Sequence, residues 1–154
     1  MGSERTKPIV EQIRYFKVAL KGIDAMSATT SRTYPRHTHD QYGIGVIDSG
    51  GHASLSGRGQ VEAGSGNLIV VNPGEVHDGR PLGDRPRSWR MLYLEPAAMV
   101  AARDDVLEGA TEIPAFAAPV FADQRLRLAF DTVFHSATRK DENGREMIAE
   151  TATL

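Results

Sequence analysis

His37 and His39 stand one residue apart in "RHTHDQYGIGVI" (36–47), and His77 follows at the end of "NPGEVH" (72–77). Imidazole can ligate a divalent metal, bond a small molecule, or exchange a proton near neutral pH. On a regular strand, side chains of equal parity share a face. His37, His39, Gln41, Gly43, Gly45 and Ile47 would then point one way, and Tyr42, Ile44 and Val46 the other, into packing. Two imidazoles and an amide, followed by two positions without side chains, describe a half-polar face with room beside it. Glycine inside a strand often marks a place where something must come close, and a concave, half-polar surface suits a small-molecule site.

Three chemistries stay open for the histidines. Three neutral imidazoles could hold Zn, Ni or Fe and leave one position for water. They could instead contact an effector directly, or only bond neighbouring backbone and frame a barrel. Glu75, two residues before His77, could add a carboxylate. Unliganded, the three would titrate near neutral pH and make binding pH-sensitive. Farther on, Trp89, Met91 and Tyr93 alternate with Arg90, Leu92 and Leu94. One of these faces meets the pocket and the other meets helices. Trp89 and Tyr93 join the candidate ligand contacts because each carries a polar handle on an apolar ring. Arg36 is expected at the surface or rim.

The elements that must position these residues fall into two parts. Residues 1–95 are rich in Gly, Pro, Thr and Val in short alternating runs and read as β. Strands are expected at 13–20, 23–30, 42–48, 52–57, 67–72 and 88–95, with Gly-rich turns between them. That spacing suggests a sandwich or small barrel. "GRPLGDRPR" (79–87), with two prolines and two of the glycines, reads as a loop. Residues 96–154 read as a helical tail continuous with the β part as one structural domain. A helix over 96–109 has Pro96 in its first turn and Gly109 just past its end. A second, over 123–137, has Asp123 as cap and one apolar stripe through Leu126, Ala129, Phe130, Val133 and Phe134. The last ten residues restart a helix that stops in mid-pattern, as expected of a piece of something longer.

Composition narrows the function classes. At 154 residues with 40% hydrophobic side chains, the chain can bury roughly 70% of its unfolded surface. A net charge of −2 gives no electrostatic footprint for nucleic acid. With no cysteine, disulfides, thiolate catalysis and Cys-ligated zinc are excluded. Neither a signal peptide nor a long apolar run is legible, so a cytoplasmic protein without membrane partners is expected. "GIG" and "SGRG" lack a phosphate-loop pattern, and no Ser–His–Asp arrangement is legible.

The H-x-H pair, followed about 40 residues later by P-G-x-x-H, resembles the two motifs of the cupin barrel. More closely, "RHTHDQYGIGVIDSGG", "NLIVVNPGEVHDG" and "WRMLYLEP" resemble the N-terminal sensing domain of AraC/XylS-type transcription regulators, over roughly residues 12–150. The resemblance implies a mostly β chain: a double-stranded β-helix (jelly-roll barrel) holding a small effector, followed by C-terminal helices that pair two subunits. On that reading the chain is a sensing and dimerisation domain and not an enzyme. Leu126, Phe130, Val133 and Phe134 would contribute to a homodimer. DNA would be reached only through a C-terminal helix-turn-helix domain, which the sequence after residue 123 does not offer. A metal-binding cupin also places a glutamate four or five residues after the second histidine, where this chain has Gly43 and Ile44. That departure disfavours the alternative, a metal-dependent cupin enzyme of dioxygenase or isomerase type using His37, His39 and His77. A third reading is a barrel with a vestigial pocket that only dimerises.

Overall fold

The computed structural model describes residues 11–139. The helix expected over the last ten residues lies outside them. Ten strands and two helices follow one another: β1 (Gln12–Phe16), β2 (Ile23–Thr30), β3 (Tyr34–His37), β4 (Tyr42–Ser49), β5 (His52–Ser56), β6 (Gly59–Ala63), β7 (Leu68–Val71), β8 (His77–Pro81), β9 (Arg87–Leu94), α1 (Pro96–Val106), β10 (Val120–Phe121) and α2 (Gln124–Thr138). The strands form a six-stranded sheet, β1-β2-β9-β4-β7-β10, and a four-stranded sheet, β3-β8-β5-β6. Among the described residues no hydrogen-bonded ladder joins the two sheets, so the barrel is not closed by pairing.

Strand β9 runs through the middle of the larger sheet, paired along its length with β2 on one side and β4 on the other. Its alternation serves two cores. Trp89 and Met91 turn inward, with Met26, Ala28, Ile47 and Ala63. Leu92 turns outward and packs with Ala25, Val46 and Leu68 beneath Phe130 and Phe134 of α2. Arg90, on the same outer face, bonds Asp48 at 2.7 and 2.8 Å and Asp131 of α2 at 2.7 Å. Its guanidinium also lies over the rings of Phe130 and Phe134, at 5.4 and 5.3 Å. The face left open in the sequence is thereby assigned: Trp89, Met91 and Tyr93 look into the interior.

Helix α2 begins where expected. Asp123 accepts hydrogen bonds from the backbone N–H groups of Arg125 and Leu126, relieving two of the unpaired donors of the first turn. The apolar stripe divides in two. Phe130 and Phe134 are buried on their own sheet, whereas Leu126 and Val133 are about half exposed. Helix α1 buries none of its residues and stops at Val106, three residues before Gly109.

Two expectations need correction. The stretch 79–87 is not all loop, because Gly79, Arg80 and Pro81 continue β8 and Gly79 pairs with Tyr34. Nor do Gly43 and Gly45 open space for a guest. Gly45 is the cross-strand partner of Met91, and Gly43 of Tyr93. A methyl group at Gly43 would stand 3.0 Å from the Met91 Cε, and one at Gly45 would run into the Met91 Sδ. The glycines therefore accommodate the large side chains of β9. Gly45→Ala should destabilise the fold by about 1–3 kcal/mol through overpacking. In a Gly45→Ala/Met91→Ala pair the loss should persist, since the new methyl would still lie 2.6 Å from the Arg90 carbonyl oxygen. Urea unfolding monitored by circular dichroism checks both, and an unchanged midpoint for the single variant would refute the packing.

Candidate functional site

The histidines reach one another through strand pairing. His37 ends β3 directly opposite His77, the first residue of β8, and a short turn then carries His39 back over both. The ring centroids lie 5.0 Å (His37–His39), 4.4 Å (His37–His77) and 4.9 Å (His39–His77) apart. His37 Nδ1 donates to the Pro35 carbonyl at 2.7 Å, and His77 Nδ1 to the Glu75 carbonyl at 2.9 Å. Those bonds place the proton of each neutral ring on Nδ1 and leave Nε2 with its lone pair. His39 Nε2 then donates to His77 Nε2 at 3.2 Å. Burial, with the neighbouring His77 and His37, lowers the pKa of His39. Burial likewise lowers that of His77.

This donor set fits a divalent metal. One ligand atom from each ring lies within 4.8 Å of the others, and a tetrahedral zinc site needs nitrogens about 3.3 Å apart, so modest ring rotations suffice. Carbonyl anchors behind two of the rings are the usual support for metal-bound imidazole. Glu75 does not complete the set. Arg58 holds its carboxylate through Nε and Nη2, at 2.8 and 2.9 Å, and the Asn72 N–H caps it at 3.0 Å. Burial opposes its ionisation, but those bonds prevail and keep the carboxyl below its ordinary range.

The cluster forms part of the wall of a cavity of about 280 Å³ between the sheets. Tyr93, Met91 and Trp89 line it, together with Met26, Tyr34 and His52. The Tyr93 ring lies 5.3 Å from that of His39, and burial raises its hydroxyl to about 12, so it stays protonated. Gln41 is elsewhere. Its amide donates to Asp24 and Glu95, at 2.9 and 3.1 Å, and it is not part of the cavity wall. Gly43 and Gly45 shape the wall only through Met91 and Tyr93.

Several wall residues escaped the sequence reading. Arg87 is wholly buried, and its Nε donates to His52 Nδ1 at 2.9 Å. Arg87 has the same parity as Trp89, Met91 and Tyr93, so starting the strand one residue earlier would have put it on their face. His52, Ser54 and Ser56 alternate with Ala53 and Leu55 in β5 and line the cavity likewise.

An open-ended pair of antiparallel sheets, with three imidazoles and an aromatic wall between them, defines a small-molecule-binding domain of cupin type. The sequence profile of the AraC-like ligand binding domain matches residues 19–154, and the chain belongs to that family. Among solved structures it is similar to a Cupin 2 conserved barrel domain protein from Salinispora arenicola CNS-205. The TM-score is 0.50 at 13% identity, over 66% of this chain and 99% of that one. It is also similar to an RmlC-like cupin family protein with a double-stranded β-helix fold from Methanocaldococcus jannaschii, at TM-score 0.48 and 11% identity, over 62% and 91%. At these identities the likeness concerns the fold alone. No curated protein sequence matches the chain.

His52 sets an acid limit on the fold. Burial, reinforced by the Arg87 charge, lowers it from 6.5 to about 4. Below pH 6.5 the unfolded chain takes up a proton that the folded chain refuses, so stability is full above that pH and falls as pH drops toward 4. The loss at this one residue approaches about 3 kcal/mol, and His39 and His77 add to it with the same sign. Denaturant midpoints at pH 7.5, 6 and 5 should decline, and His52→Gln should flatten the decline. Equal midpoints in the unmodified protein would contradict the buried neutral imidazole.

Proposed function

We propose that this chain is the effector-sensing domain of an AraC-type transcription regulator. A small molecule enters between the sheets, contacts His39, His77, Trp89 and Tyr93, and biases the packing of the sheet against its helices. DNA is bound by a separate domain of such a regulator. The observation that supports this reading best is the cavity itself: three converged imidazoles at an apolar aromatic wall, in a member of a ligand-binding family. Among the described residues no helix is long and apolar enough to cross a membrane. A second reading, a metal-dependent cupin enzyme on His37, His39 and His77, draws on the fit of those rings to a divalent ion. Among the described residues no carboxylate joins the three rings, and Glu75 is committed to Arg58.

Ligand binding raises stability by mass action. A thermal-shift screen of sugars, amino acids and aromatic acids on chelator-stripped protein should therefore find stabilisers, and His77→Ala should weaken their effect. Stabilisation by zinc, nickel or ferrous ion alone, together with turnover of a screened compound, would favour the enzyme instead.

Dimerisation is the second part of the proposal. Phe130 and Phe134 serve the chain's own core, which leaves Leu126 and Val133, seven residues apart on one face of α2, as the apolar surface for a second copy. Two-fold pairing is the commonest symmetry for such a helix. Sedimentation equilibrium should show a dimer, and Leu126→Glu/Val133→Glu a monomer of nearly unchanged melting temperature. A monomer at high concentration in the unmodified protein would remove the dimer.

A further inference from the structure

Four charged side chains of the cavity wall can be compared by what neutralises or bonds them. Arg32 is paired with Glu11 at 2.9 Å. Glu75 is paired with Arg58 at 2.8 Å. Asp78 accepts from the Leu55 N–H at 2.7 Å. Arg87, like Asp78, has no ion-pair partner among the described residues, but Arg87 is wholly buried. Its Nη1 donates to the carbonyls of Thr30 and Arg32, at 3.3 and 3.0 Å, and its Nε to His52. Its Nη2 is buried and has no partner.

An enclosed guanidinium whose N–H groups have lost water without replacement is a costly arrangement. The ring of Trp89, 4.6 Å from Cζ, and that of Tyr34, at 5.9 Å, offset part of that cost through their π-faces. Neither ring accepts as an anion does. Gly79 lies beside Nη2, where a methyl group would stand 3.7 Å from Nη2 and 3.0 Å from His52 Cε1, so the His52 ring fills the space that the glycine leaves.

We propose that the cavity is selective for a small organic monocarboxylate, its carboxylate set against Arg87 and its apolar body against Trp89, Met26 and Met91. This deepens the sensing reading and rests on it. Charge count selects the class. Arg87 presents a single buried guanidinium whose Nη2 has no partner, which one carboxylate charge matches and a phosphate monoester, near −2 at neutral pH, exceeds. Wall chemistry agrees, because Tyr34 and Trp89 stand against the guanidinium and Met26 and Met91 line the same cavity. Nη2 is enclosed by its neighbours, so the contact forms as a neighbouring ring turns aside. The carboxylate then replaces lost hydration with a charge-assisted hydrogen bond.

Trp89, the only tryptophan of the chain, is a built-in reporter. The test uses the full chain at pH 7.5 with benzoate, phenylacetate and hexanoate, each beside its amide, and inorganic phosphate as a further probe. At ten times Kd the acids should raise the melting temperature by roughly 3–6 °C and alter Trp89 emission, whereas the amides should do neither. Arg87→Gln should abolish the response to the acids. That variant could fail to fold, but the comparison of acid with amide needs only the unmodified protein. Amides that act as strongly as acids would overturn the carboxylate proposal and leave the sensing pocket standing. So would phosphate acting more strongly than any acid. A full response in folded Arg87→Gln would overturn the role of Arg87. Silence from these probes and from every compound of the screen above would remove the sensing reading and this proposal with it.

Discussion

The register of β9 between β2 and β4 is the constraint on which both sides of the larger sheet depend. One set of alternate residues, Arg87, Trp89, Met91 and Tyr93, forms a wall of the cavity, while the other includes Arg90 and Leu92, which hold α2. A slip of one residue would exchange the two sets, sending aliphatic side chains inward and the arginine–tryptophan wall toward the helix. Pairing on both flanks prevents it. The glycines of β4 act as the key to this register, because only opposite Gly43 and Gly45 can Tyr93 and Met91 lie flat in the interior.

The histidine cluster depends on a different pairing, between β3 and β8 of the smaller sheet. His37 and His77 are forty residues apart in the chain and direct partners in the ladder. Backbone carbonyls at Pro35 and Glu75 then fix the tautomers of both rings. The outcome is a set of ring nitrogens gathered within 4.8 Å of one another, a place that suits a metal or a polar group of a guest. Arg58 decides against a carboxylate in that set. By clamping Glu75 and donating to the carbonyls of Val70 and Phe116, it uses the acid to tie the β7–β8 turn to the segment before β10.

Long periodic elements were legible in the sequence. The strand 23–30 matches its observed bounds, those at 42–48 and 88–95 do so within a residue, and Asp123 caps α2 as its side chain suggests. What escaped were β3, β6, β8 and β10. They are short, and β8 runs through a Gly/Pro-rich stretch whose composition signals a turn. The glycine positions were identified correctly as places of close approach, but what approaches is Met91 from the neighbouring strand. Parity along one strand cannot reveal that, since the filler comes from another. Gln41 was lost for a related reason. Residues 38–41 form no strand, so the parity linking it to His37 does not continue across them.

Arg87 and Arg90 show why a guest in this cavity could be felt at α2. They lie three residues apart on opposite faces of β9, one in the cavity wall, the other bridging Asp48 of β4 and Asp131 of α2. Packed strands are stiff, so a guest that draws Arg87 toward itself loads the same backbone that positions Arg90 against Phe130 and Phe134. Whether the helix responds is a matter of free energy rather than of connection. A guest shifts α2 only by the difference in its affinity for the two arrangements of the sheet, and tight binding to both alike would move nothing. A buried cation without a partner supplies such a difference, because any arrangement that brings an anion to Nη2 is favoured strongly when the guest is present and disfavoured when it is not.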